Sequence, residues 1–191
     1  MKKVIAISLI SIFALANEAN STNQNMQIAK EGVKYIKTLG KALKTNVGKR
    51  LKEDPSGVSA AKFCTQNAKE VAKKAMKDFP DNIKVRRTAL KYRNKNNKPD
   101  TIDKKVLEEM QIALKSKSLK KEPIVLDVNG TKRVYVPLIV EKACTKCHGD
   151  VNKMNPKVKE IIKKAYPNDK AIGFKVNDLR GAVVAEIAPK K

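Results

Sequence analysis

Two of the three cysteines and the only histidine of the chain stand together in ACTKCHGD, residues 143–150, as Cys144, Cys147 and His148. C-x-x-C-H is the spacing of a c-type haem attachment site. Two thiols three positions apart can each add to a vinyl group of one porphyrin. The next residue then lies under the iron, where an imidazole nitrogen serves as proximal ligand. On this reading Cys144 and Cys147 are thioether anchors to one covalent haem c, and His148 is an axial ligand. Gly149, lacking a Cβ, would let the backbone pass close to the ring.

Other chemistries also use such cysteines. A zinc site wants four ligands, usually as paired knuckles, and the chain has only Cys144, Cys147, His148 and a remote Cys64 to offer. A thioredoxin-like redox pair expects a βαβ context near the chain start, whereas this motif follows a hairpin signal near the C-terminus. A structural disulfide with an incidental histidine leaves the position of the single His unexplained.

If His148 takes one face of the iron, the other face lacks an obvious donor. There is no second His, Met154 is too near the attachment site to loop round a ring, and only residues 149–191 follow His148. Cys64 remains. A thiolate is a known iron ligand, but a buried free cysteine is also an ordinary small hydrophobe. The residues alone leave both readings open.

The elements that must position these groups follow from periodicity. Residues 24–49 read as a helix, with Ala29, Val33, Ile36, Gly40, Leu43 and Val47 in step. Asp54-Pro55-Ser56-Gly57 breaks it. A second helix runs to about residue 78 with Ala61, Cys64, Ala68, Val71 and Ala75 on one stripe, which would turn Cys64 toward the core. Residues 83–90 read as a strand and 101–118 as a helix. Residues 123–128 and 131–140 flank Asn129-Gly130 as a hairpin. A short helix covers 156–165, and 171–176 with 180–187 read as a second hairpin. Helices first, then about five short strands, predict an α+β domain with an antiparallel sheet.

The start of the chain reads as a signal peptide over residues 1–16: Lys2 and Lys3, an apolar run, then Ala14-Leu15-Ala16 as a cleavage site. The remainder, 17–191, is then a single domain in the periplasm of a bacterium, helical over 17–80, with the sheet and attachment segment over 81–191. The apolar run is too short to span a bilayer. The formal net charge of +23 is spread along the chain, with no Trp and 4% aromatic residues. That is not the pattern of a nucleic-acid groove, which interleaves stacking rings with clustered charge. It suits a self-repelling surface, or steering toward an acidic protein partner or an anionic membrane surface.

Four stretches carry a resemblance: FCTQNAKEVA (63–72), RRTALKYRNKNNKPD (86–100), VPLIVEKACTKCHGD (136–150) and AYPNDKAIGFKVNDLRGAVVAEI (165–187). On these the chain resembles the c-type haem-binding PAS-like domain family, formerly a domain of unknown function. That family includes exported soluble proteins and sensor modules of bacterial signalling proteins. The resemblance implies a PAS-like antiparallel sheet with N-terminal helices, covalent haem at Cys144 and Cys147, and axial ligation by His148 and Cys64. Where family members often carry Trp-Glu, this chain has Ile102-Asp103, a departure that bears on a pocket wall or a partner surface. Arg87, Arg93 and Arg133 are candidate partners for the haem propionates, since Arg makes paired hydrogen bonds to a carboxylate. Tyr135, Pro137, Ile139 and Phe174 are candidates to line the ring.

No catalytic triad, acid–base pair or nucleotide loop is evident, so a non-enzymatic role is expected. The readings are a redox carrier docking through its basic surface, a haem-based redox or gas sensor acting through a separate partner, and a basic binding module for anionic surfaces.

Overall fold

The computed structural model describes residues 10–120 and 122–190. Most of the apolar leader, residues 1–9, lies outside the described residues. The first element, α1, is a helix over Ile10–Glu53, longer at both ends than its apolar stripe requires. The helix expected after the Asp54 turn is two: α2, Val58–Gln66, and α3, Ala68–Ala75, broken at Asn67. The break resets the helical phase, so the stripe drawn through residues 61–75 does not hold. The buried residues of α2 are Ala60, Ala61 and Phe63, and Cys64 is exposed instead of facing the core.

Four strands follow among the described residues: β1 (Ile83–Thr88), β2 (Ile124–Val128), β3 (Thr131–Ile139) and β4 (Leu179–Ile187). They form one antiparallel sheet in the order β1-β4-β3-β2. The β2–β3 hairpin turns through Asn129 and Gly130, at φ 52° and 79°. Positive φ at both central residues is the turn whose twist suits a two-residue hairpin. Helix α4, Thr101–Lys115, lies between β1 and β2 in sequence and is capped by the Asp100 side chain.

Helices cover both faces of the sheet. On one face Ile36 and Leu39 of α1 pack on Ile83, Val85, Val134, Val183 and Ala185. On the other, Val106, Leu107 and Met110 of α4 pack on Tyr135, Leu179, Ala182 and Val184. Alternate strand residues therefore serve different cores, as the pleat requires.

The expectation of a fifth strand at 171–176 fails, and the backbone bonds show why. Instead of pairing with β4, this segment crosses the histidine: Gly173 N–H donates to Gly149 O at 2.8 Å and Phe174 N–H to His148 O at 2.9 Å. Next to it the β3–β4 ladder slips. Leu138 pairs with Gly181 and Ile139 with Leu179, so Arg180 is the extra residue of a bulge. Gly181 makes the slip possible: at φ 149° a Cβ there would sit 2.4 Å from the Thr88 carbonyl oxygen.

A charged network closes the α4 side. Asp103 is fully buried. It accepts from Arg86 Nη1 at 2.5 Å and Nη2 at 3.1 Å, and from the Tyr135 hydroxyl at 2.9 Å. Arg133 Nη1 bonds Asp100 at 2.7 Å and Asp103 at 3.2 Å, and Glu186 joins both arginines. The departure at Ile102-Asp103 thus falls on a structural hub. Burial pushes the Asp103 carboxyl up, but the hydrogen bond and charge of Arg86, with Tyr135 and Thr88, hold it below the usual range.

A carboxyl depressed in the folded state stabilises fully above its unfolded value, about pH 4, and that stability is lost as pH falls through the folded value. Asp103→Ala should cost about 3 kcal/mol, because it strands buried guanidinium charge. In urea titrations it should also flatten the loss of stability below about pH 4. An unchanged midpoint would mean the hub does not hold α4 to the sheet.

Candidate functional site

Beyond β3 the chain makes a 3-10 turn, Lys142–Cys144, then the single turn α5, Thr145–His148. The segment is pinned on two sides by its own cysteines. Cys144 packs against Val140, Ala171 and Phe174, and Cys147 against the cluster of Ala61, Met154, Val158 and Ile162. The last two come from α6, Pro156–Ala165. All three cysteines are free thiols, so the structural disulfide finds no support. Burial pushes the Cys147 thiol up to about 11; nearby Cys64 adds to this and Arg93 opposes it. Gly149 is required for a reason internal to the protein: a Cβ there would lie 2.5 Å from the Thr145 carbonyl oxygen.

His148 is oriented by a single bond. Its Nδ1 lies 2.8 Å from the Ala171 carbonyl oxygen. A carbonyl only accepts, so Nδ1 carries the proton and Nε2 keeps its lone pair in the neutral ring. An outer hydrogen bond of this kind fixes the tautomer wherever an imidazole ligates a metal. Burial, then the charges of Arg93, Arg180 and Arg87, hold the His148 pKa well below its ordinary value, which keeps the ring neutral. Phe174 stands edge-on to it, ring centroids 6.4 Å apart.

Arg93 secures the carbonyl that secures His148. Its Nη2 donates to Cys147 O at 2.6 Å and Ala171 O at 3.3 Å, and its Nε to Asp169 at 3.0 Å. One guanidinium so ties α5 to the crossing segment.

Cys64, though distant in sequence, comes to the same place. It is exposed, yet burial pushes its thiol up, while Arg87, Arg93 and Arg50 pull it down. Ala61, one turn before it on α2, packs in the same cluster as Cys147.

The other candidates divide. Arg87 is exposed at the end of β1 and its charge reaches both Cys64 and His148. Phe174 joins the site. Arg133 and Tyr135 do not: both are committed to the Asp103 hub, and Tyr135 lies in the α4 core. Pro137 and Ile139 are strand residues of β3, with Ile139 exposed. Arg180, Lys91 and Asp169 were missed from the candidates. Arg180 donates to Lys91 O at 3.1 Å and lies 5.3 Å from the Phe174 ring centre; Lys91 Nζ lies 4.6 Å from it on the same ring and donates to Ile172 O. Their only signal was membership in the quoted stretches 86–100 and 165–187.

Among the described residues no group of three or more His, Cys, Asp or Glu side chains converges as a metal cage, so the donor set does not suit zinc, which needs four. It does suit a macrocycle that brings its own equatorial donors: two attachment thiols, one imidazole with a bare Nε2, and a thiol nearby.

Fold and site together define an α+β domain whose antiparallel sheet carries a C-x-x-C-H segment oriented by a crossing loop. A family model, Tll0287-like, matches residues 12–188. The chain belongs to the Tll0287-like family, in agreement with the haem-binding resemblance carried by its motifs. Its structure is similar to the crystal structure of the cyanobacterial heme-protein Tll0287, with a TM-score of 0.62 and 23% identity, covering 87% of this chain and 97% of that one. No curated protein matches.

Arg93→Ala should release α5 from the crossing segment. The expected result is a loss of about 3 kcal/mol and faster amide exchange at Gly173 and Phe174, with partial recovery in Arg93→Lys, which keeps the charge but not the fork. Wild-type exchange in Arg93→Ala would show that the clamp is incidental.

Proposed function

We propose that this chain is an exported, PAS-like, monohaem c-type protein of non-enzymatic role, in which electron transfer is the primary function. The observation that carries the haem reading is the His148 Nδ1–Ala171 O bond beside two free thiols at attachment spacing. It prepares Nε2 as a ligand, at the residue that C-x-x-C-H places under the iron. Cys144 and Cys147 would hold the porphyrin by adding S–H across its two vinyl groups, a step that needs no oxidant. Cys64 would supply a second iron ligand beside His148. When bound, the haem supplies a one-electron ferric/ferrous couple whose potential depends on axial ligands, burial and nearby charge.

The chain's own residues do the rest. Arg93 and Ala171 keep the imidazole turned, Phe174 packs against its edge, and neighbouring cations oppose an added positive charge. The homologue described as a heme-protein supports haem binding. The net charge of +23 favours an acidic redox partner, through long-range steering. Export with removal of residues 1–16 fits the leader and the need for thioether maturation outside the cytoplasm. No helix among the described residues is long and apolar enough to cross a membrane.

One observation favours the sensor reading as the alternative. The Cys64 thiol is exposed and makes no hydrogen bond among the described residues, whereas the His148 ring is held by Ala171 O. That would make Cys64 a displaceable ligand, and its release on reduction or gas binding would be the signal.

Chain matured in a host with haem-attachment machinery should carry the added mass of one haem after denaturation, and Cys144→Ala/Cys147→Ala should not. A wild-type mass equal to the polypeptide alone would end the haem reading. Cys64→Ser should convert a low-spin six-coordinate ferric spectrum to a high-spin or water-ligated one. Carbon monoxide binding to the reduced wild type with loss of the Cys64 signature would favour the sensor, and an unperturbed Soret band the carrier.

A further inference from the structure

Three arginines stand around the site and are not equivalent: Arg93 bonds the carbonyl that holds His148, Arg180 lies against the Phe174 ring that meets His148 edge-on, and Arg87 is next to Thr88, which pairs with Ala182 of β4, two residues from Arg180. Arg93 is neutralised by Asp169 at 2.9 Å, and its other donors go to carbonyls. Arg180 spends one donor on Lys91 O and lies against the Phe174 ring, with no acidic partner within ion-pair distance among the described residues. Arg87 has neither ion pair nor side-chain hydrogen bond among them. The contrast with its neighbour is sharp: Arg86, one position earlier, is met by both Asp103 and Glu186. Arg133 is likewise met by Asp100, Asp103 and Glu186.

The two unmatched cations are placed by the sheet. Arg87 is opposite Val183 in the β1–β4 register, and Arg180 is the bulged residue near the start of β4. Bulges re-aim side chains and are common beside functional sites. Burial, with repulsion from Arg93 and Arg87, pushes the Arg180 guanidinium down to about 10. A half-buried cation facing other cations is unfavourable without an anion.

We propose that Arg87 and Arg180 form a two-cation seat for a pair of carboxylates beside His148. On the haem reading above, on which this assignment rests, the occupants are the two haem propionates. The candidates Arg93 and Arg133 serve the fold instead. Guanidinium is the group best matched to carboxylate, through paired, charge-assisted hydrogen bonds.

Two measurements test the seat. Arg87→Gln and Arg180→Gln, matured with haem and shown by mass to carry it, should each bind an electron less readily. The expected drop is at least tenfold in the reduction equilibrium, about 59 mV for one electron. Arg180→Lys should recover most of this, and Lys105→Gln, on the exposed side of α4, should leave the potential unchanged. In the full chain produced without haem, succinate should raise the thermal midpoint, and should not do so in Arg87→Gln/Arg180→Gln. Haem-loaded variants with the wild-type potential, or equal succinate stabilisation of both apo chains, would overturn the proposal. A parent chain that never acquires haem would remove the propionates as occupants, and the succinate result would then decide the seat alone.

Discussion

A single backbone carbonyl, Ala171 O, is the point on which the site turns. It accepts the His148 Nδ1 proton at 2.8 Å and an Arg93 donor at 3.3 Å. An sp2 oxygen has two lone pairs, so it can serve both without competition. Through it, the orientation of the imidazole becomes a property of the crossing segment and not of the one-turn helix α5, which is too short to be rigid alone. Asp169 and Cys147 O complete the Arg93 clasp. Parts of the chain separated by α4 and the β2–β3 hairpin are thereby held in one geometry.

Charge is distributed with the same logic. A chain with 42 basic and 19 acidic side chains has few carboxylates to spend on pairing, and where they go is informative. Asp100, Asp103 and Glu186 neutralise Arg86 and Arg133, joining α4 to the sheet, and Asp169 neutralises Arg93. These arginines are structural, since a guanidinium removed from water needs a partner. Arg87 and Arg180 are left without an acidic partner among the described residues, Arg180 against the Phe174 ring beside His148 and Arg87 near the end of β1. The two regions differ in compensation, not in composition.

Much of this was legible from residue order. The paired cysteines, the adjacent His148, the Asn129-Gly130 hairpin and the helices near 101–118 and 156–165 are local signals, carried by spacing or by turn chemistry. The elements built on them are found with shifts of a few residues at their ends. Cys64 was legible as a companion to the motif, but its environment was not. A stripe drawn across residues 61–75 assumes unbroken helical phase, and the break at Asn67 removes that assumption.

What the amino-acid order determined, then, is the chemistry available: two thiols and one imidazole at attachment spacing, a third thiol, and an excess of cations. What only the tertiary structure decided is which of those groups meet. The alternation in residues 171–176 suggested a strand, but alternation says nothing about which backbone will accept its N–H groups; here they go to His148 and Gly149. The carbonyl that orients the histidine has no signature in sequence, because every residue carries one. Arg93, Arg133 and Arg180 are likewise indistinguishable by type. Their roles are separated by whether folding brings an acidic side chain within reach, and that depends on contacts between segments far apart in the chain.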